Sequence, residues 1–233
     1  MFAKRKYRLE NGVDKVDKVD KQTLLRLFPF LSDKNKVLKL KIDRESLYYI
    51  SIREDASRIT DIVTSSLAML NIKYRDAVLL DGFAGVGGDT LTFALAGFKK
   101  IYAVELNKTR AQYLQNNINV YELNNVSVLN RNVLEVANSL RCNVIYLDPP
   151  WGGANYKKKS KLRISISNIP LEMICNKCFS ASHMAKDVDM VVLKLPINYD
   201  LEHFDKTVYG TVEKWNLKKM IIVVVVNPKY GIK

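Results

Sequence analysis

Cysteine and histidine are scarce, three and two among 233 residues. An odd cysteine count gives no closed disulfide framework and points to a reducing compartment. No signal-peptide pattern is read at the N-terminus, so the expected location is intracellular, in nucleus or cytoplasm. Cys175 and Cys178 have C-x-x-C spacing, with His183 close by. Two thiols and one histidine fall short of four zinc ligands, and residues three apart in a helical pattern simply share a face, so no metal is expected. His203 stands alone in a polar segment and carries no assignment. Long apolar runs are also missing: MIIVVVVN at 220–227 has the length of a strand, not of a membrane span, and no membrane partner is expected. Acidic residues are in deficit, 24 against 37 Lys+Arg, for a formal charge of +13 and a pI near 9.5. Such a balance suits a polyanionic partner, nucleic acid before membrane.

What is present suits one sizeable α/β domain with a short appendage, because a core of this size buries its apolar surface without a second domain. The boundary falls after residue 53: an N-terminal extension over 1–53, basic and partly helical, then a domain over 54–233. The extension opens with Lys4, Arg5, Lys6 and Arg8 and repeats VDK three times from Val13 to Lys21, either a short amphipathic helix or a solvated linker. LLRLFPFL at 24–31 is apolar enough to dock on the main domain. VLKLKIDRESLYYISIRED, from Val37, alternates like a hairpin or an extended lead-in. Ile59, Ile62, Val63, Leu67 and Leu70 then have the spacing of one helix face over 55–70.

The clearest structural signal follows. AVLLDGF at 77–83 reads as a strand, AGVGG at 84–88 as a glycine turn, and 89–96 as a helix ending at Gly97. A second strand at 101–104 ends at Glu105, before a helix over 107–121. Strand, glycine turn, helix, strand and acid form the βαβ arrangement in which backbone at a helix N-terminus approaches a nucleotide and the acid accepts from ribose hydroxyls. The turn is not the G-x-G-x-x-G of dinucleotide folds, and Asp81 precedes it where it can oppose a cation. A cationic adenosine compound, S-adenosylmethionine, fits better than a pyrophosphate. Strands at 126–129 and 143–147 come next. Since ligands sit beyond the carboxyl ends of strands in open α/β sheets, the glycine turn and the end of the fourth strand face one crevice. A helix over 171–181, a strand at 190–195 and two final strands flanking a turn near Leu217 complete the pattern.

The fourth strand runs into IYLDPPWGGANY at 145–156, a site for a flat, nitrogen-bearing ring. Asp148 can accept from an exocyclic amine. Pro149 and Pro150 lack N–H groups and present carbonyls in a rigid turn. Trp151 supplies a large π face, and Gly152 and Gly153 allow close approach. The plainer reading of Trp151 is a core plug in a proline-rich loop. KKKSKLR at 157–163 follows at once, a basic run placed to hold phosphates or simply a solvated face.

DGFAGVGGDT at 81–90 together with DPPWGGANY at 148–156 closely resembles the trimethylguanosine synthase family, RNA cap methyltransferases of the class I S-adenosylmethionine-dependent fold. LKIDRESLYYIS at 40–51 and LPIN at 195–198 are similar to further family segments, so the resemblance runs from about Lys36 to the C-terminus. It implies a Rossmann-like, mostly parallel sheet with helices on both faces, and transfer of methyl to N2 of guanine already methylated at N7. It implies that Asp81, Phe83, Ala84, Gly85, Gly87, Thr90, Glu105, Leu106, Asn132, Val133 and Asp148 line the cofactor, with Glu105 on the ribose. Trp151 would stack on 7-methylguanine, and Asp148 and the Pro149 carbonyl, beside Pro150, would receive the amine. Lys41 and Tyr156 would hold the phosphate end of the cap, with Tyr49, Ser51 and Asn198 nearby, so that the extension contributes to the substrate site.

Three positions depart from the family pattern: Asn132 stands for an Asp facing adenine, Ile197 for an Arg near the cap phosphates, and Asp148 where many members have Ser. Lys194 or the 157–163 run could supply the missing charge. Two rivals remain open, another amino methyltransferase acting on guanine N2 of other RNA or adenine N6 of DNA, and a catalytically silent RNA-binding subunit. The complete glycine and DPPW motifs speak against the second.

Overall fold

Short apolar runs, each closed by a turn or a capping residue, become the strands of one sheet. The computed structural model describes residues 19–180 and 187–231. Most of the VDK repeat, the basic N-terminal stretch and His183 lie outside them.

In chain order the helices are α1 Lys21–Leu27, α2 Lys34–Val37, α3 Ser46–Tyr49, α4 Arg53–Met69, α5 Gly88–Ala96, α6 Lys108–Val120, α7 Val133–Ala137, α8 Leu171–Phe179 and α9 Leu201–Thr207. The strands are β1 Val78–Asp81, β2 Lys100–Val104, β3 Val126–Leu129, β4 Val144–Leu147, β5 Ser165–Ile166, β6 Ile169–Pro170, β7 Met190–Pro196, β8 Thr211–Asn216 and β9 Met220–Val226. Seven strands form a sheet in the order β3-β2-β1-β4-β7-β9-β8, and β5 and β6 make a separate two-stranded ribbon. β3, β2, β1, β4 and β7 are parallel; β9 runs antiparallel to both β7 and β8. This is the class I methyltransferase, Rossmann-like arrangement expected from the sequence.

Register positions the site. Asp81 on β1 is level with Ala103 on β2 and Tyr146 on β4. The three strands therefore release their chains at one height, and the strand order reverses at β1 and β4, where α/β folds bind ligands. Side chains alternate across the sheet. Leu80, Ile145, Leu147, Val191 and Leu193 meet α7 and α8 on one face. Leu79, Val144, Tyr146, Met190 and Val192 meet α4 and α5 on the other. With both faces covered, the central strands are apolar throughout.

The segment before α4 decides between two expectations. No hairpin forms over 37–55; residues 40–43 link α2 to α3 without joining a strand. A strand needs a backbone partner, and here a side chain takes that place. Asn117 of α6, fully buried, accepts from the Lys41 N–H and donates to the Lys41 carbonyl, both at 2.8 Å, and donates to the Val86 carbonyl at 2.9 Å. One amide thus ties the lead-in to the glycine turn. Leu24, Leu27 and Phe28 dock with Leu40 and Ile42 against Leu114 and Ile118, as the apolar run at 24–31 suggested.

Candidate active site

The cofactor side of the crevice starts where β1 stops. Gly85 has φ +54°, and a Cβ there would meet no atom within 4 Å, so its backbone faces open space. Gly87, at φ +103°, starts α5 in a left-handed conformation that disfavours other residues. Across the turn Glu105 is held by both oxygens: Gly85 N–H donates to Oε2 at 2.9 Å and Asn107 N–H to Oε1 at 2.7 Å. Each oxygen keeps a further acceptor position, the requirement for a pair of ribose hydroxyls. Leu106, 71% exposed, stands on the rim, whereas Val133 is buried beneath Gly82. Phe83 is half-buried and Ala84 buried beside the turn.

Asn132 shows what its departure from Asp does. Its Oδ1 caps α7 by accepting the Leu134 N–H at 2.9 Å. An Asp would keep a second acceptor oxygen; Asn has only the NH2 group to present, a donor where the resemblance leads one to expect an acceptor.

Between β1, β4 and β7 lies a cluster of ionisable groups. Thr90 Oγ1 donates to Asp81 Oδ2 at 2.5 Å. Burial, with Asp89 and Asp148 adding repulsion, pushes the Asp81 carboxyl up to about 7 against the pull of Thr90. Lys194 Nζ lies 2.6 Å from Asp148 Oδ2, 2.7 Å from Ser51 Oγ and 3.6 Å from Asp89 Oδ2. Ser51 Oγ and Tyr146 OH each donate to Asp89 Oδ2 at 2.9 Å. Burial raises Asp148 to about 6, Lys194 opposing and Asp89 reinforcing. Burial disfavours the charged form of Lys194, but Asp148, then Asp89, hold its pKa above the ordinary lysine value. The other oxygen of Asp89, Oδ1, is buried without a hydrogen-bond partner. Two carboxyls, Asp148 and Asp89, face one ammonium with Asp81 close behind Thr90, an excess of acidic groups that suits a positively charged ligand. Together with the open backbone at Gly85, this acceptor set fits the sulfonium and ammonium of S-adenosylmethionine.

On the substrate side, Pro149 is buried and Pro150 exposed. Trp151 is half-buried; it packs on the core, as the plug reading has it, while part of its ring remains accessible. Its indole N–H donates to the Lys194 carbonyl at 3.2 Å, and its ring meets Tyr156 edge-on at 5.3 Å and 78°. Tyr156 lies on a short 3-10 turn, Gly153–Lys158, that Asn198 fastens by donating to the carbonyls of Tyr156 and Lys159 at 2.8 and 2.7 Å. Asn198 is therefore a brace for the aromatic pair, and its Oδ1 remains unpartnered.

Two residues assigned from the resemblance make no hydrogen bond or ion pair with this cluster among the described residues. Lys41 extends over the Tyr113 ring of α6 at 6.0 Å, and Tyr49 is 59% exposed at the end of α3. Lys194 does not substitute for the Arg absent at Ile197, since it is 2% exposed and committed to carboxylates; Ile197 itself is 65% exposed. The basic run divides. Lys161 and Arg163 pair with Glu202 and Asp200 at 3.0 and 3.1 Å, whereas Lys157, Lys158 and Lys159 are exposed and form no ion pair among the described residues. Cys175 and Cys178 are buried free thiols, and the described residues contain no metal-binding group.

Reading the sequence missed Asp89, Tyr146 and the pairing of Lys194 with Asp148. One signal was available: a lysine inside the apolar strand VVLKLP, covered on both faces, needs a buried partner.

A family model described as RNA cap guanine-N2 methyltransferase matches residues 76–227. An uncharacterised protein of Acanthamoeba polyphaga mimivirus is 33% identical over 219 residues, covering 85% of this chain and 83% of that protein. Trimethylguanosine synthase of Schizosaccharomyces pombe is 23% identical over 126 residues, 51% of this chain and 49% of that enzyme. Among solved structures, a 16S rRNA N2 methyltransferase from T. thermophilus in complex with AdoMet and guanosine superposes with a TM-score of 0.55 at 18% identity, over 80% of this chain and 44% of that one. A putative methyltransferase from Escherichia coli superposes with a TM-score of 0.51 at 18% identity, over 73% and 86%. These two likenesses establish the fold.

Proposed function

Because this chain belongs to the RNA cap guanine-N2 methyltransferase family and is an S-adenosylmethionine-dependent RNA methyltransferase, we propose that its substrate is the 7-methylguanosine cap of an RNA, methylated at the N2 amine. The observation that carries this reading is the joint position of Asp148 and Trp151 at the end of β4, beside the crevice bounded by Asp81 and Glu105.

Asp81, the Gly85 backbone and Glu105 would hold S-adenosylmethionine, the last through its ribose. The group supplies a methyl on positive sulfur, which becomes a neutral thioether as nitrogen takes the methyl and sheds a proton. Residues of this chain then have three tasks. Trp151, oriented through its N–H and by Tyr156, offers a face to the purine. Asp148 accepts from the N2 amine with Oδ1, since Oδ2 is taken by Lys194, and so aims the nitrogen lone pair; such orientation contributes most when the reacting atoms are held near contact. An ionised Asp148 is also an acceptor for the proton that the nitrogen releases. Exposed Lys157, Lys158 and Lys159, directly after Tyr156, can reach the phosphates.

N7 methylation makes guanine cationic, and its attraction to an indole face is worth on the order of 1–2 kcal/mol when desolvated. The test compares methyl transfer to 7-methylguanosine-capped, unmethylated-capped and uncapped RNA and to adenine-containing DNA. The expected result is a preference of about tenfold or more for the N7-methylated cap over the unmethylated cap, with the product at N2. Equal rates on both caps, or a preference for uncapped RNA or a DNA adenine, overturn the cap reading and favour a general amino methyltransferase.

A further inference from the structure

The buried cation at the end of β7 still lacks a role. Lys194 is 2% exposed, and its neighbours Leu193 and Leu195 are fully buried and apolar. Taking an ammonium out of water costs several kcal/mol even after the surroundings relax, and an apolar residue in such a strand would generally serve stability as well or better. The geometry around the ammonium is specific. Its three N–H groups face three oxygens from different parts of the chain: Asp148 Oδ2 after β4, Ser51 Oγ before α4, and Asp89 Oδ2 in the first turn of α5. Asp148 Oδ1 has no partner among the described residues, and the side chain is 21% exposed. The same lysine's carbonyl receives the Trp151 N–H.

We propose that Lys194 is a positioning residue for amine methylation, occupying one oxygen of Asp148 so that the other alone meets the target nitrogen, and joining that orientation to the N-terminal lead-in through Ser51. The inference rests on the reading of Asp148 as acceptor of the target amine. A free carboxylate offers two equivalent oxygens and can rotate; the ammonium removes that freedom. Lys194 also opposes protonation of Asp148. The groups around this carboxyl are Lys194 on β7, Asp89 on α5, Asp81 on β1, the Tyr146 hydroxyl on β4 through Asp89, and Ser51. Among the described residues the other charges around it are negative, and Lys194 is the group that favours the ionised form.

The experiment uses the full chain with Lys194→Met and with Lys194→Gln, which keeps a donor but loses the charge, and follows two readouts. One is the pH dependence of kcat with S-adenosylmethionine and a 7-methylguanosine cap dinucleotide; the other is the carbon NMR titration of the Asp148 carboxyl, assigned by its disappearance in Asp148→Asn. In either folded variant the acid limb of kcat and the Asp148 titration should move upward together by about one pH unit or more, the effect of removing an opposite charge at this distance. At pH 7, kcat should fall about tenfold or more, with a smaller change in KM for the cap. An unmoved titration midpoint in a folded variant overturns the proposal, as does a moved midpoint with an unmoved kcat profile. Should the wild type ignore every cap, the functional reading falls, and the kcat profile is then taken on whichever amine substrate it methylates. An enzyme that methylates no amine overturns both.

Discussion

The carbonyl of Lys194 accepts the indole N–H of Trp151 at 3.2 Å. Strand β7 therefore orients the aromatic that follows β4, and the same residue's side chain grips Asp148. The proposed platform for the base and the proposed acceptor for its amine share a support, which argues that the DPPW segment acts as a rigid unit.

Replacing the platform tests its half of the site. Trp151→Ala should weaken binding of 7-methylguanosine diphosphate by roughly the 1–3 kcal/mol of one base–aromatic stack, about 5- to 150-fold, and leave S-adenosylmethionine affinity near wild type. Titration calorimetry of the two ligands separates these outcomes. Unchanged nucleotide affinity in a folded variant would return Trp151 to the role of a core plug.

The acids divide by function. Glu105→Ala removes a carboxylate whose two oxygens are preset by Gly85 and Asn107. It should raise the dissociation constant of S-adenosylmethionine about tenfold or more, since hydrogen bonds to a charged group contribute about 1.5–3 kcal/mol. Asp148→Ala should instead lower kcat and bind the cofactor nearly as well. Two variants that lose cofactor affinity alone would show that the division of the crevice is wrong.

Stability should carry the signature of Asp81. Its folded carboxyl is raised to about 7 from an ordinary value of 3.8, so between those limits the folded protein holds a proton that the unfolded chain has released. Stability from this residue is therefore present at low pH and is lost as pH rises through that window. Relative to Asp81→Asn, the wild type should be more stable at pH 5 than at pH 8, by on the order of a few kcal/mol at about 1.4 kcal/mol per pKa unit. Denaturant melts of both proteins across that range give the difference; a constant gap would mean that Asp81 titrates normally.

Charge should matter through the unpaired lysines. Binding of capped RNA should weaken steeply with salt, and changing Lys157, Lys158 and Lys159 together to Ala should flatten the logarithmic slope by up to about 2, at ~0.7 per phosphate contact on a single strand. Changing Lys161, already paired with Glu202, should have a smaller effect. A slope untouched by the triple change would leave 157–159 as a solvated face.

Much of this candidate site could be proposed before any coordinates, for a physical reason: its parts are local. A strand ending in Asp81, a glycine turn and a helix are one continuous stretch, Glu105 closes the next strand, and Asp148 to Trp151 directly follow β4. Each pattern is set by backbone chemistry acting over a few residues. The alternation at 37–55 left two outcomes open, since such a segment can be satisfied by a neighbouring strand or, as here, by the amide of Asn117. The tertiary structure alone decided the ionic cluster, which links Lys194 to Asp148 across 46 positions and to Ser51 across 143. It also decided that Lys194 is spent on carboxylates and that the basic run splits into paired and unpaired halves. Sequence determines which residues carry charge, but what each charge opposes depends on the order in which β1, β4 and β7 lie side by side, and burial then sets how strongly they interact.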